Sequence, residues 1–251
     1  MIISGKYDML HPALVERIYK EESVKHKKPQ DALKATKTRL HQMYGAYSSG
    51  SSHKKAAALL ASPGDIKATA TQIMQLHAST RERLPHIEEF HAFVAAHAGP
   101  AETILDLGCG FNPFSLLHMP APPKTYYAYD IDIRTAALLN QFFAITGLPQ
   151  AAACTDLAIQ TPAHQVDIAY MQKLLPVLEA QAPGRGFALA REVNAKHLVI
   201  TYPLKSLGGR EKGMGKNYAA RFEAAIVSGE MQGEIIAQEN IGSELVYVIL
   251  Q

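Results

Sequence analysis

The chain has 251 residues, 47% hydrophobic and 19% charged, with a formal net charge of +2 and two cysteines. This length and composition suit a globular protein with a substantial core, either one large domain or a core domain plus an appendage, and they exclude extensive disorder. No apolar run approaches the ~18 residues that span a bilayer, and Lys6 and Asp8 interrupt the opening MIISGKYDMLHP where a signal peptide would be apolar, so a cytoplasmic protein is expected.

Cys109 and Cys154 belong to no CxxC or Cys/His cluster and read as free thiols, and the 11 histidines form no HExxH pair, so no metal is expected. The net charge hides an asymmetry. Residues 1 to 55 hold 11 Lys/Arg against 5 Asp/Glu, a balance of +6, and the remainder carries −4. Segregated positive charge suits a polyanion, because cations that neutralise phosphates release condensed counterions; a solvated helical face is the other reading.

Residues 10 to 47 show helical spacing through Leu14, Ile18, Leu33, Leu40 and Tyr44, broken near Lys28-Pro29. SSGSS at 48 to 52 reads as a flexible connection, and a helix over 53 to 61 stops at Pro63-Gly64. A further helix runs from Asp65 to about Leu76. Ser79 and Glu82 then have capping-box spacing for a helix reaching about Ala98, which Gly99-Pro100 ends. This divides the chain into a basic helical unit, residues 1–76, and a second unit, 77–251.

From Thr103 the pattern changes. TILDLGCG is a short strand entering a glycine turn, and TYYAYDID, VDIAYM and HLVITYP are further apolar strands separated by helical stretches, which implies a doubly wound parallel sheet; GEIIAQEN and SELVYVIL read as a terminal β-hairpin.

Glycines after a buried strand let backbone amides approach a ligand at the carboxyl end of a sheet. A dinucleotide fingerprint requires a third glycine, but Phe111-Asn112-Pro113 follows Gly110, so a ligand without pyrophosphate fits better. Asp130 lies 22 positions after Gly108. A carboxylate there can accept from both ribose hydroxyls of an adenosyl group; alternatively Asp130 or Asp132 caps the next helix. Asp156 stands where a third strand ends and can bond an adenine amino group with Leu157 on the ring, although Asp-Leu is also a common helix start.

In order, these pieces resemble the seven-stranded S-adenosylmethionine-dependent methyltransferases: an α/β, Rossmann-like sheet, mostly parallel with a C-terminal hairpin, here preceded by a small all-helical domain. Longer stretches resemble one family within that class, the 16S rRNA guanine-N7 methyltransferases of aminoglycoside resistance: RLHQMYGAY at 39 to 47, LHASTRERL at 76 to 84, LDLGCGFNP at 105 to 113, KLLPVLE at 173 to 179, YPLKSLGGREKGM at 202 to 214, NYAARFE at 217 to 223, and IGSELVYVI near the end. The resemblance covers nearly the whole chain.

It implies S-adenosylmethionine as cofactor, S-adenosylhomocysteine as product, and methyl transfer to N7 of a decoding-site guanine in the 30S subunit by a monomer. It implies that Arg83 reaches the carboxylate of the cofactor's methionine part; from the residues alone, Arg83 pairs with Glu82 or Glu89. The other cofactor candidates are Asp106, Gly108, Gly110, Asn112, Asp130, Ile131, Asp156, Leu157 and Gln172, the last standing where relatives more often have an apolar residue. Lys173 matches the family's lysine near the transferred methyl. Lys205 and Arg210, with Lys212 and Lys216, lie among Gly208, Gly209, Gly213 and Gly215 in a loop that can close on RNA phosphates or serve as plain surface. Lys173, Lys205 and Arg210 are the candidates at the reacting centre. Lys20, Lys25, Lys27, Lys28, Arg39, Lys54, Lys55 and Lys212 are the candidates for gripping RNA, joined by Lys34 and Lys37. A methyltransferase of another rRNA base or of a small molecule, a non-enzymatic RNA-binding protein and a nicotinamide oxidoreductase are the competing readings. The basic front end and the Asn112-Pro113 interruption weigh against the small-molecule and nicotinamide readings respectively.

Overall fold

A computed structural model describes residues 7–44, 50–204 and 214–251, so the candidates Lys205, Arg210 and Lys212 lie outside the described residues. Helices α1 (Pro12–Lys25) and α2 (Pro29–Tyr44) form an antiparallel pair, with Lys28-Pro29 at the break between them. Their shared stripe of Leu14, Ile18 and Leu40 is buried with Tyr7, Leu10 and Tyr44 in a small core of its own. α3 (Gly50–Ala61) starts three residues earlier than the expected 53, taking Gly50, Ser51 and Ser52 into the helix.

α3 and α4 (Ile66–Met74) place Ala56, Leu60, Ala70, Ile73 and Met74 in the core that lies against the sheet. Next come α5 (Ala78–Arg83) and α6 (Ile87–Ala98). The expected single helix to Ala98 is divided by a 3-10 turn at Leu84–His86, where Pro85 cannot donate a helical hydrogen bond. The expected capping box is also absent. α5 starts at Ala78 with His77 at its cap, so Ser79 is already inside the helix, and Glu82 bonds Lys173 instead.

The remaining strands and helices alternate as expected: β1 (Thr103–Leu107), β2 (Thr125–Asp130), α7 (Ile133–Thr146), β3 (Ala152–Cys154), β4 (Gln165–Gln172), α8 (Leu174–Gln181), α9 (Arg185–Glu192), β5 (Asn194–Pro203), α10 (Met214–Val227), β6 (Glu234–Ile241) and β7 (Glu244–Leu250). They form a seven-stranded sheet of order β3-β2-β1-β4-β5-β7-β6. β3, β2, β1, β4 and β5 run parallel, while β7 is antiparallel to β5 and to β6, which gives the terminal hairpin.

Side chains alternate across the strands and so supply two cores. Ile104, Ile168, Tyr170, Val199, Val246 and Val248 face one layer with α3, α4, α6 and α7. Leu105, Ala169, Met171, Leu198, Ile200 and Tyr247 face the other with α8, α9 and α10. Both cysteines are free thiols. Among the described residues, no helix is long and apolar enough to cross a membrane.

Phe142 of α7 has no exposed surface and packs against Phe114, ring centroids 4.6 Å apart. Phe142→Ala is expected to cost about 3–5 kcal/mol. Urea denaturation checks this as a lower midpoint with an unchanged slope.

Candidate active site

Strand order reverses direction between β1 and β4, and ligands settle at the carboxyl edge of such a sheet. A pocket with an empty volume of about 1100 Å³, part of it open solvent, lies there. Its floor is the turn after β1. Gly108 and Gly110 have φ of +66° and +50°, and a Cβ on Gly108 would sit 2.8 Å from Leu174 Cδ1, while one on Gly110 would sit 3.1 Å from the His77 ring. The turn therefore excludes side chains and brings backbone to the cavity.

Asp130 closes β2 beside this turn. Its Oδ2 accepts from the Gly110 amide and its Oδ1 from the Asp132 amide, both at 2.8 Å. Burial nevertheless pushes its carboxyl up to about 6. Asp132, not Asp130, caps α7, accepting from the Arg134 amide at 2.9 Å. The two roles left open in the sequence thus fall to different residues, and Asp130 is left facing the pocket. Ile131 lines the same wall, and its carbonyl accepts from the His11 amide at 3.0 Å.

Past β3, Asp156 and Leu157 line the pocket, both buried. Asp156 Oδ1 accepts from the Ala158 amide at 3.1 Å, and Oδ2 accepts from Arg17 Nη2 at 3.0 Å and Nε at 3.3 Å. Leu10, Met43 and Tyr44 add to this wall, so one side of the pocket comes from the end of α2 and the segment before α1.

Arg83 occupies the opposite end, 5% exposed. It pairs with neither Glu82 nor Glu89. Its Nη2 donates to both carboxylate oxygens of Glu244 at 2.8 and 2.9 Å, its Nε to Oε1 at 3.1 Å, and its Nη1 to Asn112 Oδ1 at 2.9 Å and to Gln172 Oε1. Glu244 also accepts from Thr201 Oγ1 at 2.6 Å. Burial raises the Glu244 carboxyl, but Arg83 and Lys173 outweigh it and hold the group below its ordinary value. Asp106 lies beneath the pocket, accepting from Asn112 Nδ2 and the Tyr126 hydroxyl, both at 2.8 Å, so its reach to a ligand runs through Asn112.

Lys173 begins the connection from β4 to α8 with φ of 55°, the one positive value among the described non-glycine residues. Its Nζ lies between Glu82 Oε2 at 2.9 Å and Glu244 Oε1 at 3.2 Å. Glu244 and Arg17 escaped the sequence reading, since each meets its partner across more than a hundred residues. Among the described residues, no group of three His, Cys, Asp or Glu could hold a metal ion.

A family model described as ribosomal RNA methyltransferase (FmrO) matches residues 3–248. The chain belongs to this family. A 16S rRNA (guanine(1405)-N(7))-methyltransferase of Serratia marcescens is 36% identical over 99% of this chain and 95% of its own length. One from Micromonospora echinospora is 35% identical over 98% and 92%. The crystal structure of the 16S rRNA methyltransferase RmtF in complex with S-adenosyl-L-homocysteine superposes with a TM-score of 0.87 at 36% identity, covering 99% of this chain and 95% of that one. The 16S rRNA methylase RmtB gives 0.85 at 31%, covering 99% and 94%.

In this rRNA methyltransferase the basic candidates fall into two groups. Lys27, Lys28, Lys34, Lys37, Lys54 and Lys55 are exposed. Lys20 pairs with Glu16 at 2.6 Å, Lys25 with Glu22 at 2.9 Å, and Arg39 with Glu21 at 2.5 Å and Glu22 at 3.2 Å.

Neutralising Glu244 leaves Arg83 buried without its countercharge. Glu244→Gln is expected to lower stability by about 3 kcal/mol, and adding Arg83→Gln to recover part of that loss. Thermal denaturation of the two single variants and the double variant checks it.

Proposed function

We propose that this protein is a 16S rRNA (guanine(1405)-N7)-methyltransferase that takes its methyl group from S-adenosylmethionine and thereby protects the 30S decoding site from aminoglycosides. The observation that carries this reading is the pocket itself: a glycine turn that excludes side chains, a half-buried carboxylate at the end of β2 and a buried one after β3, walled on one side by Leu10 and by Met43 and Tyr44 at the end of α2. Full-length similarity to enzymes named for this reaction supports it.

The residues present fit such a cofactor. Asp130 would receive the ribose hydroxyls and Asp156 the adenine amino group, with Ile131 and Leu157 against the base. The methionine carboxylate would meet Arg83, which has both Nη1 hydrogens engaged by Asn112 and Gln172; Gln172 is the partner it would exchange, its own Nε2 having no hydrogen-bond partner in the structure. S-adenosylmethionine, when bound, supplies an electrophilic methyl on a sulfonium.

The protein itself has little proton chemistry to perform. N7 of guanine carries a free lone pair at neutral pH, so alignment, not a general base, supplies the acceleration. The guanine must leave its stack to reach the pocket. Lys173 would act at that mouth, held by Glu82 and Glu244 at the end of β4, and Lys205 and Arg210 would close over the RNA. The exposed lysines of the 1–76 unit would grip rRNA phosphates, with Lys20, Lys25 and Arg39 available only by exchanging their present carboxylate partners. The enzyme would work in the cytoplasm, as a monomer, on the assembled subunit.

Burial pushes Asp130 up to about 6, whereas hydroxyl donors favour its charged form. Affinity for S-adenosylhomocysteine is therefore full above that pH and falls below it. Calorimetry from about pH 7.5 to about pH 5 should show about tenfold weaker binding, and Asp130→Asn should bind weakly with a flat pH response. A flat response in the parent protein would exclude Asp130 as the ribose acceptor.

Primer extension across the decoding region, after 30S subunits are incubated with enzyme and S-adenosylmethionine, should reveal a modified guanine at the target position. Lys27→Glu with Lys28→Glu should reduce that methylation at least about tenfold while S-adenosylhomocysteine binding stays intact. Unchanged methylation removes the docking role of this surface, and modification at another base overturns the target assignment.

A further inference from the structure

Asp156 is a carboxylate whose side chain is 2% exposed, and such a group is stable only if donors replace the water it has lost. One donor is local, the Ala158 amide on Oδ1. The other two come from Arg17, on α1 and 139 positions earlier, whose Nη2 and Nε both bond Oδ2. Among the described residues, Arg17 is the cation bonded to Asp156. Its guanidinium is steadied from its own helix by Glu21 Oε1 at 3.3 Å, and Glu21 in turn holds Arg39 of α2.

α1 is fixed at this place by backbone as well. The His11 amide donates to the Ile131 carbonyl at 3.0 Å, and the Ile133 amide donates to the Met9 carbonyl at 2.8 Å, so the segment entering α1 is bonded on both sides of Asp132, just after Asp130. Tyr44, at the end of α2, is buried on the same wall. The helix pair thus has a core of its own and three attachments to the edge of the sheet: the backbone pairing, the apolar wall and Arg17.

We propose that Arg17 is a positioning residue for the adenine end of the cofactor site, and that this end is complete only with the N-terminal helix pair in place. The inference rests on the adenosyl reading of the pocket given above and deepens it. A carboxylate is an acceptor only, which suits the amino group of adenine; a 6-oxo purine offers an acceptor there and meets repulsion. Two donors of one planar guanidinium converge on Oδ2 while the Ala158 amide holds Oδ1, so donors on both oxygens together set the orientation of the Asp156 carboxylate; a lysine would offer Oδ2 a point charge without the paired, directed donors. Arg17 therefore sets which purine the pocket accepts, without touching the purine. The competing role is a staple that merely ties α1 to the sheet. A staple affects stability but has no reason to change the preference between an amino and an oxo purine.

The test is calorimetry on the full chain with two probes, S-adenosylhomocysteine and S-inosylhomocysteine. The parent protein should bind the first and prefer it to the second. Absence of S-adenosylhomocysteine binding in the parent would overturn the adenosyl reading itself; binding without preference would overturn the amino-reading role of Asp156 and with it this inference. Arg17→Gln should weaken S-adenosylhomocysteine at least about tenfold and shrink the preference, as Asp156→Asn does. The double variant should be no worse than Asp156→Asn alone, because both substitutions break one interaction. Arg17→Lys, which keeps the charge and loses the fork, should recover part of the affinity, and it carries the same two readouts if Arg17→Gln does not fold. Parental affinity and preference in Arg17→Gln, or additive losses in the double variant, would reduce Arg17 to a staple.

Discussion

Charge buried at the carboxyl edge of the sheet must be neutralised, and in this protein the neutralising partners come from distant parts of the chain. Arg83 on α5 meets Glu244 at the start of β7, Lys173 after β4 meets Glu82 on α5, and Arg17 on α1 meets Asp156 after β3. Each pair loses hydration on folding, and attraction recovers it only where the geometry is good and further hydrogen bonds fill the remaining lone pairs. Glu244 meets that condition with Arg83, Lys173 and Thr201 around one carboxylate. The pocket is therefore closed by the same contacts that hold α1, α5 and the hairpin to the sheet.

Asp130 is held differently. Its donors are backbone amides, from Gly110 and Asp132, and its carboxyl stays pushed up to about 6. A half-buried acid whose charged form is disfavoured by desolvation and has no bonded cation is receptive to hydroxyl donors. Asp106, fully buried beneath the pocket, likewise has no bonded cation and is held by Asn112 and Tyr126, whereas Asp132 and Asp156 on the pocket wall pair with Arg134 and Arg17. Of the described carboxylates that line the pocket, Asp130 is the one bonded by backbone amides alone, which leaves its remaining lone pairs to a ligand.

The alternation of strands with helices, the glycine turn and the candidacy of Asp130 were legible in the sequence, because each depends on residues within one βαβ unit; which of Asp130 and Asp132 caps α7 was settled only by the hydrogen bond from the Arg134 amide to Asp132. The unbroken apolar runs Ile104-Leu105 and Ile168-Ala169-Tyr170-Met171 declare strands buried on both faces without any knowledge of partners. Glu244 and Arg17 were illegible for the opposite reason: their partners lie 161 and 139 residues away, and no periodicity joins them. Ser79 and Glu82 show how a correct local rule fails. Their spacing permits a capping box, but Glu82 gains more from the ammonium of Lys173, which only the tertiary fold brings within 2.9 Å. Charge counting in the basic unit was likewise correct in sum and incomplete in kind, since Arg39 bridges Glu21 and Glu22 across the helix pair while Lys27 and Lys28 face solvent.

Lys173 joins these threads. Its left-handed backbone is disfavoured for any residue with a Cβ and costs of order 1 kcal/mol, yet no glycine stands there. The conformation lets the Lys173 amide donate to both the Thr201 carbonyl at 3.0 Å and Thr201 Oγ1 at 3.1 Å. Thr201 Oγ1 itself donates to Glu244, which also accepts from Lys173 Nζ. Backbone and side chain of one residue are thus tied into the same cluster, and the strain is held by Thr201, Glu244 and Glu82. A glycine would relieve the strain and lose the ammonium; a lysine on relaxed backbone would lose the amide contacts. Having both fixes the Lys173 ammonium on the wall of the pocket, at the end of β4, by contacts that reach the backbone as well as the side chain.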